Sequence, residues 1–242
     1  MKLCRNHFLF FLLIHTIYAV SVHILDAAQL TNTAHSMAGE KTVADRLAEF
    51  GDVVHNRLQP RFREVGLAYP PKKLILVGLK QEKQLELWVS DGSAEFRFLK
   101  TYPILAASGT AGPKLREGDR QVPEGLYQIE SLNPNSRFHL ALRVNYPNDL
   151  DKEHGRHDGR TKLGGDIMIH GNAVSIGCLA MGDQAAEDLF VLAAETGIKN
   201  ISVILTPVDF RVRDLPSNLP PAPSWTGELY VEIRKALAPL KQ

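Results

Sequence analysis

The sequence predicts a mostly β protein with flanking helices, a β-sandwich or barrel preceded by one amphipathic helix. Three observations predict it. Short apolar runs at 73–79, 84–90 and 94–99 follow one another without intervening helical patterns, which suits an antiparallel sheet rather than a parallel one. Phe138, Leu140, Leu142, Val144 and Tyr146 alternate with His139, Ala141, Arg143 and Asn145, the period of a half-buried strand. Upstream, Val43, Leu47, Phe50, Val54, Leu58, Phe62 and Val65 recur every three or four residues, one stripe on a helix.

Pro60 is expected to kink or split that helix near Gln59, and Pro70-Pro71 closes it. The polar link 80–83 suits a hairpin between the first two strands, and Asp91-Gly92 is a turn dipeptide before the third. A glycine-studded loop from Ser108 leads into Val122-Pro-Glu-Gly125, which fits a type I turn. This loop is either a plain connection or a wall of a site. The stretch 149–165 holds His154, His157, Arg156, Arg160 and Lys162 among glycines and reads as a mobile polar excursion. Asp183 is placed to N-cap a helix over 184–196 that stops at Gly197. Residues 201–205 form a late strand. Beyond Arg213 the chain is proline-rich, and 227–240 mixes helical and strand periods. The resulting organisation is a signal peptide or membrane anchor (1–28), a linker and amphipathic helix (29–71), a catalytic domain (72–210), and a proline-rich linker with a C-terminal tail (211–242).

A formal net charge of +1 over 242 residues argues against a nucleic-acid partner held on a basic face. Neither standard phosphate-cradling glycine loop is present, so no nucleotide cofactor is expected. Lys2 and Arg5 ahead of an apolar run from Phe8 to about Val22 read as an export signal. Ala19-Val20-Ser21 offers a cleavage site, and an uncleaved anchor is the alternative. Cleavage removes Cys4 and leaves Cys178 as the one thiol of an exported protein, which points to intermolecular pairing or to a reactive thiol.

Cys178 follows His170 by eight residues in Asp166-Ile-Met-Ile-His170-Gly171-Asn-Ala-Val-Ser175-Ile-Gly177-Cys178. A thiol and an imidazole are the minimum for nucleophilic catalysis, because one attacks while the other carries the proton. Pairing with His170 is expected to raise the thiolate fraction of Cys178. A buried structural cysteine beside a core histidine is the bland reading of the same pair.

Gly118-Asp119 with Val122-Pro-Glu-Gly-Leu-Tyr127, Asn145-Tyr-Pro147, Met168-Ile-His-Gly171 and Ser175-Ile-Gly-Cys178 together resemble the L,D-transpeptidase catalytic domain of YkuD type, over roughly 73–207. The resemblance implies a β-sandwich-like bacterial envelope enzyme acting on peptidoglycan stem peptides through a cysteine thioester. It implies Cys178 as nucleophile, His170 as base, the Gly171 carbonyl as the group orienting the imidazole, and Ser175 as the serine ahead of Gly-Cys. The N–H groups of Gly177 and Cys178 become the oxyanion donors. Two positions depart from the usual pattern: Ile176 stands where the family usually has histidine, and Ala180 where it usually has arginine. With the short His–Cys spacing, this is similar to the YafK-like branch, which is associated with hydrolysis of the link to a peptidoglycan-bound lipoprotein.

The expected function is an exported acyl-transfer enzyme attacking the L-centre of diaminopimelate. Hydrolytic release of a peptidoglycan-linked lipoprotein, or trimming of stems, is the alternative, and a non-catalytic peptidoglycan-binding module the third reading. Arg143, Arg160 and Lys162 are candidates for binding substrate carboxylates. A zinc site built from His154, His157, Asp166, His170 and Cys178 matches no established ligand spacing. No metal or other cofactor is expected. The periplasm or cell envelope is the expected location, with membrane contact only through an uncleaved N-terminal segment.

Overall fold

The apolar runs 73–79 and 84–90 form β1 (Lys73–Leu79) and β2 (Gln84–Ser90), paired antiparallel from Lys73↔Ser90 to Leu79↔Gln84 in a computed structural model describing residues 39–216 and 221–241. The signal and most of the linker therefore lie outside the described residues. Among those described, no helix is long and apolar enough to cross a membrane. The third strand, β3 (Arg97–Pro103), starts three residues later than expected. Asp91 explains the delay, since its carboxylate takes the Ser93 N–H at 3.0 Å and prolongs the turn.

The remaining strands are β4 (Gly125–Ser136), β5 (His139–Val144), β6 (Met168–His170), β7 (Leu179–Ala180) and β8 (Ile201–Thr206). They form one eight-stranded sheet in the order β3-β2-β1-β8-β4-β5-β6-β7. β8 runs parallel to β1 and antiparallel to β4, and β6 runs parallel to β7. β4 pairs with β8 through 125–128 and with β5 from Ile129 onward, so one long strand joins the two halves of a curled sheet.

Among the described residues four α-helices flank the sheet: α1 (Val43–Glu64), α2 (Asp149–His157), α3 (Asp183–Thr196) and α4 (Thr226–Leu237). Successive residues of a strand face opposite sides, and both sides are covered. Leu74 and Leu76 of β1 join Val54, Leu58 and Phe62 of α1 and Leu189 and Leu192 of α3 in one core. Val77 and Leu79 join Trp88, Ile204 and the α4 residues Leu229, Ile233 and Leu237 in a second. The C-terminal tail is thus a helix sealing the far face. Each buried leucine or phenylalanine contributes roughly 1.5–3 kcal/mol, enough to fix both helices against the sheet.

Four local expectations are corrected. α1 is continuous through Pro60, because the buried Leu58 and Phe62 on either side hold the turn while one ladder bond is lost. The polar excursion is half helical: Asn148 caps α2 by taking the Asp151 N–H at 3.0 Å, and Asp151 takes the Asn148 N–H at 2.9 Å in return. Residues 122–124 form no turn; the buried Glu124 carboxylate instead anchors the segment, taking Lys80 Nζ at 2.8 Å and the Tyr230 hydroxyl at 2.7 Å. The N-cap of α3 is Gly182 at φ 78, without a side-chain cap, since Asp183 Oδ1 takes the Asn172 N–H at 2.7 Å instead. The chain divides into Met1–Lys41, of which only 39–41 are described, and one unit of Thr42–Gln242.

Candidate active site around Cys178 and His170

β6 ends at His170, and the chain bends through 171–178 and returns as β7 alongside it, pairing Ile169↔Leu179 and His170↔Ala180. Parallel neighbours usually need a crossover of a dozen residues or more. Here the strands are only three and two residues long, so a short bend suffices. Continuing the register by one residue sets Cys178 beside Met168. The eight-residue spacing thus brings the chain back so that Cys178 stands at the entry to β7, directly beside β6, the strand that ends at His170. Cys178 is partly buried and unpaired, and His170 is 2% exposed.

The His170 ring is fixed from two sides. Nδ1 lies 2.6 Å from the Gly171 carbonyl oxygen, an acceptor only, so Nδ1 carries the proton and Nε2 of the neutral ring keeps its lone pair. Phe138 stacks on the imidazole at 4.7 Å between centroids and 30° between planes. Gly171 is required by close approach: a Cβ there would lie 2.6 Å from Asp183 Oδ1 and 2.7 Å from the Phe138 carbonyl oxygen. Burial pushes the His170 pKa below its ordinary value, and the Gly171 bond only partly opposes it.

Burial pushes the Cys178 thiol the other way, above its ordinary pKa. A backbone bond from Met168 favours the thiolate, the Asp166 carboxylate disfavours it, and the Lys114 ammonium favours it again. The S–H points to the Asp166 carbonyl at 3.5 Å. Both shifts favour neutral forms, so the resting pair is thiol and imidazole. This corrects the expectation of a raised thiolate fraction: removal from water and the Asp166 carboxylate outweigh the Met168 backbone bond and the Lys114 ammonium.

Ser175 Oγ takes the Cys178 N–H at 2.9 Å and donates to the Cys178 carbonyl at 2.6 Å. It therefore staples the Cys178 peptide from both ends. Gly177, at φ 101, donates its N–H to Ser108 Oγ at 2.6 Å, and that hydroxyl donates to the Arg120 carbonyl at 2.8 Å. Both N–H groups beside the thiol are engaged with serine hydroxyls. Loop 108–124 is accordingly a wall of the site. Asp119 organises it, taking the N–H groups of Leu115, Arg116 and Gln121 at 2.8, 2.9 and 3.0 Å and Lys114 Nζ at 2.6 Å.

The three candidate carboxylate binders separate. Arg143 and Lys162 line one groove of about 440 Å³ with Glu117, Lys152 and Asp166. Arg143 Nη1 already sits 2.8 Å from Asp166 Oδ1, and its Nε 2.8 Å from Glu130 Oε2. Arg160 does not line that groove, being spent on Asp158 at 2.8 Å and the Leu115 carbonyl at 2.6 Å. His154 stacks on Trp225 at 3.9 Å, and His157 pairs with Asp158 at 3.0 Å. Among the described residues no three histidine, cysteine or acidic side chains are placed to hold a metal ion. Sequence reasoning missed Phe138, which belongs to the β5 alternation on paper, and the part played by Ser108, whose partner is 69 residues away.

A carbonyl-anchored histidine at the end of one strand, with a cysteine at the entry to the neighbouring strand, is a layout suited to thiol chemistry. The family described as YkuD, the L,D-transpeptidase catalytic domain, matches residues 72–206; the chain belongs to this family of enzymes. YafK of Escherichia coli (strain K12) is 37% identical over 140 residues, covering 56% of this chain and 53% of the relative. The chain thus spans about half the length of the curated relatives it matches. Among solved structures, the helical cell shape determining protein Pgp2 of Campylobacter jejuni is 25% identical with a TM-score of 0.46, covering 57% of this chain and 48% of Pgp2. L,D-transpeptidase 1 of Mycobacterium tuberculosis is 17% identical with a TM-score of 0.32, covering 55% and 62%.

Proposed function

We propose that this protein is an exported cysteine acyl-transfer enzyme of peptidoglycan, attacking the carbonyl on the L-centre of diaminopimelate in a stem peptide. The observation that carries the reading is the His170 ring, locked by its Nδ1 bond to Gly171 at the end of the strand beside which Cys178 stands. Family membership supplies the reaction class.

In this mechanism Cys178 Sγ bonds to the carbonyl carbon as its proton passes to His170 Nε2. The C–N bond then breaks, the leaving amine takes that proton, and a thioester remains. An amine or water adds next, gives its proton to His170, and the thiol is restored. Because the pair rests neutral, His170 acts as a general base during attack. The oxyanion draws on the Gly177 and Cys178 N–H groups, displacing the Ser108 and Ser175 hydroxyls. Bonds to a charged acceptor are roughly twice as strong as neutral ones, which favours the exchange, and each such donor is worth about 2.7–4 kcal/mol. Arg143 and Lys162 supply the groove for substrate carboxylates.

Hydrolysis is the second reading, favoured by one observation. Ala180 is fully buried and bridged to Ala106, so this position has no room for the arginine usual in the family. An acceptor site lacking that cation leaves water as the competing nucleophile. Release of a peptidoglycan-linked lipoprotein belongs to this reading.

Incubation of the purified protein with stem-peptide dimers and lipoprotein-linked muropeptides, followed by mass spectrometry, tests both. New cross-links mark transfer, and free lipoprotein or shortened stems mark hydrolysis. Cys178→Ala is expected to lose at least about 10³-fold of either rate and the thioester adduct. Full activity in that variant would sink the reading.

A further inference from the structure

The tip of the β4–β5 hairpin, which no catalytic role above uses, bears directly on the histidine. Phe138 lies between the last residue of β4 and the first of β5, and at 38% exposed it is among the exposed large apolar side chains. A phenylalanine in that place costs solubility and returns no core packing. Its ring is nonetheless stacked on His170.

The residue that aims it is held in an uncommon conformation. His139 has φ 73, a left-handed backbone that side-chain-bearing residues adopt only when the surroundings impose it. The conformation closes the tight turn of the hairpin, and two helices hold the His139 ring there. His139 Nε2 meets Glu187 Oε1 of α3 at 3.2 Å, and Glu187 Oε2 is held by Arg57 of α1 at 3.0 Å. The edge of Phe50, also on α1, meets the His139 ring at 5.3 Å and 74°. The hairpin tip also presses on Gly171, where a Cβ would lie 2.9 Å from that of His139. Every contact leads from the two helices through the tip to the imidazole and to the carbonyl that orients it. α1 precedes the region 72–206 that matches the family, so this support is built partly from sequence outside the family domain.

We propose that Phe138 is a positioning residue for His170, held over the imidazole by left-handed His139, whose ring α1 and α3 clamp. The role rests on the catalytic reading above. The ring sets the plane of the imidazole and keeps water from one face of it. The titratable and charged groups around His170 are Cys178 on the facing turn, His139 on the hairpin, and Asp183 at the start of α3 with its carboxylate on the Asn172 N–H.

The test compares Phe138→Ala, Phe138→Tyr and His139→Gly in the full chain, by NMR titration of the His170 ring and by turnover of a stem-peptide dimer. Phe138→Ala uncovers the ring, so its titration midpoint rises by about half a pH unit or more. In the same variant kcat falls about tenfold while KM stays within about twofold. Phe138→Tyr keeps the aromatic face and restores both. His139→Gly adopts the same φ without strain but loses the Glu187 and Phe50 anchors, and shifts both readouts in the same direction by less. An unchanged titration in Phe138→Ala, or an equal loss in Phe138→Tyr, overturns the proposal. Should Phe138→Ala fail to fold by thermal melting, His139→Gly decides in its place, and an unmoved titration there overturns it. If the catalytic reading itself is wrong, the titration shift persists while every chain, including the parent, lacks turnover.

Discussion

Two walls enclose the thiol and are built on opposite principles. The hairpin wall is apolar: Phe138 on the imidazole, and His139 at φ 73 with its ring held by α1 and α3. The loop wall is polar and held by hydrogen bonds, with Arg120 also left-handed at φ 58, Asp119 gathering three backbone N–H groups and one ammonium, and Lys80 tying Gly112, Val122 and Glu124 together at 3.0, 2.9 and 2.8 Å. Under the proposed reading, the first wall sets the protonation state of His170, and the second sets which N–H groups reach the substrate's carbonyl oxygen. A catalytic histidine needs a dry face and a fixed ring, which apolar packing supplies. Donors must be exchangeable, which a hydroxyl on a rigid polar loop supplies.

Breaking the loop wall at its centre has the largest expected effect. Asp119→Ala leaves the Lys114 ammonium, 6% exposed, without its carboxylate, and losing one partner of a largely buried pair costs about 3 kcal/mol. For a chain of this size that lowers Tm by roughly 10 °C, measurable by calorimetry at neutral pH. Burial raises the Asp119 pKa, but Lys114 and the backbone N–H groups of Arg116, Gln121 and Leu115 outweigh it, and the net shift is downward. The stabilisation is therefore present above the unfolded value of about 3.9 and is lost as pH falls through the depressed folded value. Parent and variant converge in acid.

The contrast is sharpened next by titrating the thiol. With burial pushing Cys178 up and His170 down, alkylation by iodoacetamide is expected to accelerate through a midpoint above the ordinary thiol value of about 8.5. No plateau is expected between the two pKa values, whereas a preformed thiolate–imidazolium pair would give one near neutral pH. Rates measured over about pH 5 to 10 distinguish the two.

Ser108→Ala has the smallest effect and probes the loop wall alone. It removes the hydroxyl competing for the Gly177 N–H, a bond worth about 1 kcal/mol. The expected result is a rise of about fivefold in kcat/KM for thioester formation, with iodoacetamide alkylation unchanged because that reaction develops no oxyanion. A fall in kcat/KM would instead mean that the hydroxyl is needed to hold the turn.

The chemistry was the most legible part of the sequence, because only a few residue types can perform it and Cys178 and His170 stand close together. Strand runs were legible where both faces are apolar, as in β1 and β2. α2 left a readable trace in Asn148-x-x-Asp151, but its polar surface and internal glycine mask a helical stripe. α4 carries Leu229, Ile233 and Leu237 at helical spacing, obscured by Val231, which is 50% exposed. The charge state of the pair was not legible, since the sign of each shift depends on burial that the whole fold creates. Nor was the hold on the His139 ring, which Glu187 and Phe50 exert from distant segments. Asp183 shows the general difficulty: its type and position fit a helix cap, and its carboxylate serves the Asn172 N–H instead.

Glu124 gives the far face of the sheet a hold on the near one. One carboxylate oxygen takes Lys80 and the Gly112 N–H, each at 2.8 Å, and the other takes the hydroxyl of Tyr230 from α4 at 2.7 Å. Any movement of the loop that carries Ser108 must therefore be shared with the final helix or break a buried charge-assisted bond. The mobility of the loop is thereby governed from the opposite face of the sheet.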